Sequence, residues 1–309
     1  MEEILDYLAA NIKNEILKYE KNWTSIEEIR LRSNRPIILK NSNGNKILIH
    51  IVSKEELLET FQKVCEHSIY SYQKQICEGF ITIKGGHRVG ISGSAVLEDG
   101  KIININYISS LNFIIAREKK DVSNKILKYI IHDDGIANTL IVSKPGCGKT
   151  TILRDLVRKI STGVEEYNFS GKTCGIVDER GEIAAMYKGA PQNDIGILSD
   201  VMDNVSKSKG MRMLIRSMSP EIIVCDEIGS KEDTQAINYA VTSGVKGIFT
   251  VHGNSLEDIM QNEEIKKLLD KNLIETIIFL DDKKRGEIKS VYILDKENKA
   301  YKNCFEKNN

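Results

Sequence analysis

Four short stretches hold residues whose types and spacing can do chemistry. The first runs Ser143, Lys144, Pro145, Gly146, Cys147, Gly148, Lys149, Thr150, with Thr151 next, between the apolar run "TLIV" and the helical pattern "TILRDLVRKI". Its Gly-Lys-Thr ending matches the G-x-x-x-x-G-K-[ST] phosphate loop, except that Ser143 replaces the first glycine. A strand, this loop and a helix in succession would turn the backbone N–H groups of Gly146 to Thr150 onto phosphates at a helix N-terminus. Lys149 would then meet the β- and γ-phosphates, and the Thr150 hydroxyl would ligate Mg2+. The first motif position only closes the strand, so a small residue such as Ser143 suffices. Cys147 makes the loop sensitive to oxidation or alkylation.

The other three stretches each follow an apolar run. "EIIVCDEIG" places Asp226 and Glu227 at a strand end, where parallel α/β sheets set their ligands. Asp226 suits the Mg2+ shell, and Glu227 is the first choice, ahead of Glu179, for positioning the attacking water. "GIVDERGE" carries Asp178, Glu179 and Arg180, and "IFTVHGN" carries His252. A solitary strand end with polar residues is routine. A set of them on one sheet edge defines a site, in which His252 is read as a γ-phosphate sensor.

The elements that must position these groups follow from hydrophobic patterning. Beyond residue 138, "TLIVS", "TCGIVDE", "EIIVCDE", "KGIFTVH", "TIIFL" and "SVYIL" alternate with helical stretches. Near-continuous apolar strands separated by helices predict a mainly parallel sheet covered on both faces. The last two runs, joined through "DDKKRGEIK", predict a hairpin at the sheet edge, and the polar tail "KENKAYKNCFEKNN" a frayed end. Gly163 is the expected C-cap of the helix after the phosphate loop.

Residues 1–117 read differently. "IEEIRLRSNRPIILK" alternates like a strand with a break at Pro36. "SKEELLETFQKVCEH" opens with a Ser53/Glu56 capping box ahead of the stripe Leu57, Leu58, Phe61, Val64. "GFITIKGGHRVGISGSAVLEDGKIININYI" predicts antiparallel strands turning at Gly85-Gly86 and Asp99-Gly100. The expected organisation is α/β: a smaller α+β domain with a half-exposed sheet over 1–117, a linker and first helix over 118–137, and a P-loop domain over 138–309.

The bulk properties are those of a soluble globular protein, with 41% hydrophobic and 28% charged residues. Lys+Arg 44 against Asp+Glu 44 argues against a protein whose main task is coating nucleic acid. The N-terminus has amphipathic-helix spacing and no signal-peptide pattern. No stretch approaches the roughly 18 apolar residues of a membrane span. The six cysteines form no C-x-x-C pair or Cys/His ligand set, so a reducing, cytoplasmic setting is expected.

Taken together, the phosphate loop, "VDERGE", "LIRSMSPEIIVCDEIG" and "TVHG" resemble the ATPases of type II and type IV secretion and pilus machines, with their Walker A, acidic box, Walker B and histidine box. The final Arg of that family's Walker B pattern is absent, since the sequence here reads Asp226-Glu227-Ile228-Gly229. The chain resembles more closely the stage III sporulation protein AA family, through "EIRLRSNRPI", "GFITIKGGHRVGISG", "FIIAREK", "GKTCGIVDERGEIA", "GAPQNDIG", "MLIRSMSPEIIVCDEIG" and "HGNSLEDIM".

The resemblance implies a RecA-like fold, ATP and Mg2+ as ligands, and a hexameric ring with nucleotide held between subunits. It further implies recruitment to the mother-cell face of the membrane by embedded proteins of a mother cell–forespore channel. Arginines of the first domain and linker would reach the phosphates. Candidates are Arg30 and Arg32 on one strand face, Arg88 after the glycine turn, Arg117 at the domain end, and Arg212 and Arg216 on one helix face. Two other functions fit the same cradle. One is a nucleotide-gated platform with little turnover, the other a RecA-like nucleic-acid motor, which charge balance and 6% aromatic content disfavour.

Overall fold

The computed structural model describes residues 2–19, 25–132 and 135–305, and its chain divides into two units. One holds the residues up to Arg117 together with Ala185–Gln192; the other holds Glu118–Ala184 and everything from Asn193 onward.

In the N-terminal unit, helices α1 (Glu2–Tyr7) and α2 (Ala10–Tyr19) precede strands β1 (Ile26–Arg32), β2 (Arg35–Asn41) and β3 (Gly44–Val52). Then come α3 (Lys54–Val64), α4 (Gln73–Cys77), β4 (Phe80–Thr82), β5 (Arg88–Glu98) and β6 (Lys101–Ile114). The strands form an antiparallel sheet in the order β3-β2-β1-β6-β5-β4. Its inner face buries Ile29, Leu31, Leu39, Val89, Leu111 and Phe113 among the helices, while Ile47, Ile49 and Ile51 of edge strand β3 stay exposed. The turn between β1 and β2 lies at Ser33-Asn34, not at Pro36. Asn34 takes the left-handed φ of 59°, and Pro36 sits within β2 beside a bulge on this penultimate strand. Both halves of the Ser53/Glu56 capping box form, and Asp99-Gly100 makes the two-residue turn between β5 and β6 with both φ positive. Leu58 leaves the expected stripe and is exposed. A position one residue from Leu57 lies about 100° around the helix, so Thr60 takes the inward place instead and its Oγ1 accepts the Ala9 N–H.

Ala185–Gln192 is held in this unit by polar contacts: Tyr187 donates to the Glu66 carboxylate, Lys188 pairs with Glu66 at 2.6 Å, and the Gly85 N–H donates to Gln192 Oε1 at 2.8 Å. These contacts are long-range in sequence, and no local pattern announces them.

The second unit begins with α5 (Asn124–Ile130) and the short pair β7 (Ile131–His132) and β8 (Gly135–Ile136). β9 (Thr139–Ser143), α6 (Lys149–Thr162) and a second short pair, β10 (Gly163–Val164) and β11 (Phe169–Ser170), follow. The chain continues through β12 (Cys174–Asp178), β13 (Ser199–Asp203), α7 (Lys207–Ser217), β14 (Ile222–Cys225), α8 (Lys231–Thr242) and β15 (Lys246–His252). It ends with α9 (Leu256–Gln261), α10 (Glu263–Asp270), β16 (Thr276–Leu280), β17 (Ile288–Asp295) and β18 (Ala300–Asn303). The eight-stranded sheet has the order β13-β12-β14-β15-β9-β16-β17-β18, parallel from β13 to β16 and antiparallel beyond. β9, β12, β14 and β16 are buried at every residue, which is why each reads as an unbroken apolar run.

Two strands of this eight-stranded sheet escape the sequence pattern. β13, "SDVMD", is half-buried along its whole length at the sheet edge and carries no apolar run. β18 lies within the tail expected to fray. It pairs with β17, and the Tyr301 hydroxyl donates to the Ile274 carbonyl at 2.8 Å. Residues 306–309 of that tail lie outside the described residues.

Asp155 anchors the start of this unit to α6. Its carboxylate is 3% exposed and accepts from the Ser123 N–H at 2.9 Å, the Ser123 hydroxyl at 2.6 Å and the Asp121 N–H at 3.1 Å, and it pairs with Arg158 at 2.7 Å. Burial pushes this carboxyl up, but the Ser123 donors and Arg158 outweigh it and hold the group below its ordinary value. A depressed folded value means the stabilisation is complete above the unfolded value, near pH 4, and is lost as pH falls through the folded one. Asp155→Asn should cost about 1–3 kcal/mol at neutral pH and remove part of the acid-side slope. Urea midpoints measured from pH 3 to 7 check this; parallel curves for the two proteins would contradict it.

Candidate active site

The loop between β9 and α6, the expected phosphate cradle, is set by its two glycines and the strand before it. β9 is paired on both sides, to β15 and β16, so its end at Ser143 is fixed. Gly146 and Gly148 adopt φ of 80° and 100°, conformations that side chains rarely take, and Gly148 is the N-cap of α6. α6 buries Ile152, Leu153, Leu156, Val157 and Ile160 and stops at Gly163, as the sequence predicts. The Ser143 hydroxyl donates to the Lys144 carbonyl at 2.9 Å, and the Ser143 carbonyl accepts the Gly253 N–H at 3.3 Å. Ser143 thus closes the strand through its own backbone contacts. Lys144 turns out to Asp282 at 2.8 Å, Pro145 is exposed, Cys147 is buried, and Thr151 is half-buried on the first turn of α6.

Lys149 is 5% exposed and points back over the loop. Its ammonium donates to the Ser143 carbonyl at 3.1 Å and the Lys144 carbonyl at 3.4 Å, and lies 3.0 Å from His252 Nδ1. Burial pulls its pKa below the usual lysine range, offset in part by the charges of Asp226 and Glu227.

The parallel order β12-β14-β15-β9 brings the C-terminal ends of four strands to one edge. The Thr150 hydroxyl donates to Asp226 Oδ2 at 2.6 Å, and the Thr250 hydroxyl donates to the other oxygen. Thr250 Oγ1 also accepts the Glu227 N–H at 2.8 Å, and its carbonyl the Ile228 N–H at 2.9 Å. These bonds hold Glu227 at a left-handed φ of 53°, a strain of about 1–3 kcal/mol. A hydroxyl and a carboxylate in contact suit Mg2+, which keeps several waters and takes one or two protein oxygens beside phosphate. Among the described residues no three His, Cys, Asp or Glu side chains gather into a cage for another metal.

Glu227 is engaged at both oxygens: Oε1 by His252 Nε2 at 2.9 Å, Oε2 by Arg180 Nη1 at 2.9 Å. Glu179, one residue along, pairs with Lys207 of α7 at 2.5 Å. Burial opposes the charge on Lys207, but Glu179 more than compensates and raises its pKa. A cavity of about 20 Å3, room for about one water, lies among Glu179, Arg180, Lys207, Asp226 and Glu227. Asp178 faces inward, 2% exposed, and accepts the backbone N–H groups of Glu182, Ile183 and Ala184. It shapes the loop that carries Glu179 and Arg180, and Arg154 of α6 pins that loop through the Glu182 and Ile183 carbonyls at 2.6 and 3.0 Å.

The structure therefore gathers Ser143–Thr151, Asp226, Glu227, Glu179 and His252 on one edge. It does not bring Arg216 there. Arg216 is exposed in the last turn of α7, which leads into the start of β14, the end of that strand away from Asp226. Arg212 stacks over Tyr239 at 5.6 Å. Arg30, Arg32, Arg88 and Arg117 belong to the N-terminal unit. There Arg30 binds Glu28 at 2.6 Å, Arg88 lies 3.5 Å over the Phe80 ring, and Arg117 donates to the Ile26 carbonyl at 2.7 Å. Sequence reasoning missed Lys207, Thr250 and Arg285. The first two are neighbours through folding only. Arg285 sits in the β16–β17 turn, whose Gly286 N–H donates to the Cys147 carbonyl at 3.1 Å; a Cβ on Gly148 would lie 3.6 Å from its Cγ. The run Lys283-Lys284-Arg285 in the turn of the expected hairpin was the available signal, although β18 and not that hairpin forms the sheet edge.

Comparison with known proteins bears on the fold and the family. The legionella ATPase DotB (Legionella pneumophila) superposes with a TM-score of 0.60 at 15% identity, covering 89% of this chain and 78% of that one. The pilus retraction motor PilT, solved with bound ADP, gives 0.54 at 15% identity, covering 90% and 77%. At such identities the likeness is one of fold, the RecA-like fold of secretion ATPases. Stage III sporulation protein AA of Bacillus subtilis (strain 168) is 37% identical over 297 residues, 96% of each chain. The profile of the family described as "Sporulation stage III, protein AA" matches residues 1–299, and the chain belongs to that family.

Proposed function

We propose that the chain is a Mg2+-dependent ATPase of secretion type that acts as a ring and energises or assembles a mother cell–forespore channel during endospore formation. The observation that carries this reading is the Thr150–Asp226 hydrogen bond, which joins the phosphate loop to the acidic strand end with Glu227 and a water-sized cavity alongside. Gly146 to Thr150 would hold the phosphates through backbone N–H groups and Lys149. Thr150 and Asp226 would hold Mg2+, which supplies charge neutralisation at the phosphates. Glu227 orients a water; its oxygen bonds the γ-phosphorus, the bond to the β–γ bridging oxygen breaks, and the water's proton passes to the carboxylate. ADP and phosphate are the products. His252 reports the γ-phosphate, and an arginine from a neighbouring subunit completes the charge balance.

No helix among the described residues is long and apolar enough to cross a membrane, so membrane-embedded partners would recruit the chain. Two measurements test the proposal: ATP turnover with Mg2+, and mass in solution with and without nucleotide. Absence of ATP binding, or a monomer under every condition, would remove the shared-site ATPase. A second reading draws on the engagement of Lys149 and Glu227 by protein groups: a platform that binds ATP, assembles and hardly turns over. Binding and assembly at negligible turnover, also with the membrane partner present, would favour it.

A further inference from the structure

The donors and acceptors around His252 decide where its proton lies. Lys149 has three acceptors within reach, the Ser143 and Lys144 carbonyls and His252 Nδ1, which matches the three hydrogens of an ammonium. An ammonium only donates, so Nδ1 must accept. Glu227 Oε1, a carboxylate oxygen, only accepts, so Nε2 must donate. A neutral imidazole with its hydrogen on Nε2 satisfies both contacts. An imidazolium would set an N–H against the Lys149 ammonium, and the other tautomer would turn a lone pair on the carboxylate.

We infer that His252 is a relay that reports phosphate at Lys149 to Glu227, and that Arg180 is a positioning residue holding the far oxygen of that carboxylate. The inference rests on the ATPase reading and gives its site an order of events. With all three Lys149 hydrogens committed, a phosphate oxygen gains one only by displacing an acceptor. The two carbonyls belong to the loop backbone and stay. The His252 ring, 45% exposed at the end of β15, is the partner free to turn. Phosphate therefore takes the hydrogen that Nδ1 held, and the loosened ring releases or redirects Glu227, two bonds away from the phosphate. Arg180 keeps Glu227 aimed at the cavity while this happens. Its side chain is 63% exposed, so the restraint is worth a few-fold in rate and not orders of magnitude.

The test uses full-length protein with 15N-labelled histidine, the His252 signals identified by comparison with His252→Gln. Solid-state spectra of nucleotide-free protein should show the Nε2–H tautomer with Nδ1 accepting a hydrogen bond. A non-hydrolysable ATP analogue with Mg2+ should shift Nδ1 away from that value, and Lys149→Ala should show the shifted value without nucleotide. Arg180→Gln should lower kcat roughly three- to tenfold at unchanged KM, Arg180→Lys should restore part of it, and Arg180→Gln should add nothing to Glu227→Gln. An imidazolium or Nδ1–H tautomer in the nucleotide-free protein overturns the relay, as does an unmoved Nδ1 when calorimetry shows the analogue bound. A parent-like Arg180→Gln, or an additive loss, overturns the role of Arg180. Failure of the analogue to bind sinks the ATPase reading instead, while the resting tautomer still decides the relay's first link.

Discussion

Lys149→Ala is expected to lower ATP turnover by at least about 10³-fold, more than any other single change in the phosphate loop. On the proposed function this buried ammonium would meet the β- and γ-phosphates where water is excluded, and removing one such preorganised donor typically costs about 10²–10³-fold even when it is uncharged. Lys149 is charged, 5% exposed and already turned inward, so little reorganisation is needed when phosphate arrives. The fold should tolerate the change. The two carbonyls it leaves keep other donors, Gly253 N–H for Ser143 and the Ser143 hydroxyl for Lys144. Thermal unfolding should shift by only a few degrees, and calorimetry should show weakened ATP binding alongside the lost turnover. A Lys149→Ala protein that turns over ATP at the parent rate would show that this loop is a strand–turn–helix with an accidental Gly-Lys-Thr.

The strand, turn and helix over 139–162 were legible because their demands are local. Two left-handed backbone positions require glycine, and a buried parallel strand requires an apolar run; both are written in consecutive residues. Asp226 and His252 were legible for the related reason that strand ends in a parallel sheet share an edge. What periodicity could not show is which side chain turns in and which turns out. Asp178 looks like a fourth acidic candidate in sequence, but its carboxylate is consumed by three backbone N–H groups of the loop it begins. Lys207 looks like the solvated first residue of a helix, yet folding sets it against Glu179. The arginines expose the same limit from the other side. Arg212 and Arg216 do share a helix, but the direction of α7 carries Arg216 away from the edge that holds Asp226, a fact of topology with no short-range signal. β13 was invisible because an edge strand half-buried on both faces needs no apolar run. The Ala185–Gln192 segment was invisible because it is fixed by contacts more than a hundred residues away, such as Tyr187 with Glu66.

Glu227→Gln should separate binding from chemistry. Among the described residues the carboxylate makes no hydrogen bond or ion pair with the 143–151 loop, although its charge acts on Lys149; its partners are His252, Arg180 and the backbone geometry set by Thr250. ATP affinity should therefore stay within about twofold of the parent, while kcat falls by roughly 10²–10⁴-fold, the usual worth of a positioned general base. The substitution removes more than a charge. Both neighbours of Glu227 present N–H groups, and a glutamine offers one acceptor oxygen and one amide that can only donate. One of the two contacts must break, so the residue loses its aim together with its basicity. Glu179 provides the contrast. Its carboxylate is turned onto Lys207 at 2.5 Å, so Glu179→Gln should cost no more than about tenfold. Single-turnover rates and nucleotide dissociation constants for the two variants, measured side by side, check the assignment. A Glu227→Gln protein that hydrolyses ATP like the parent, beside an inert Glu179→Gln, would move the water to the other carboxylate.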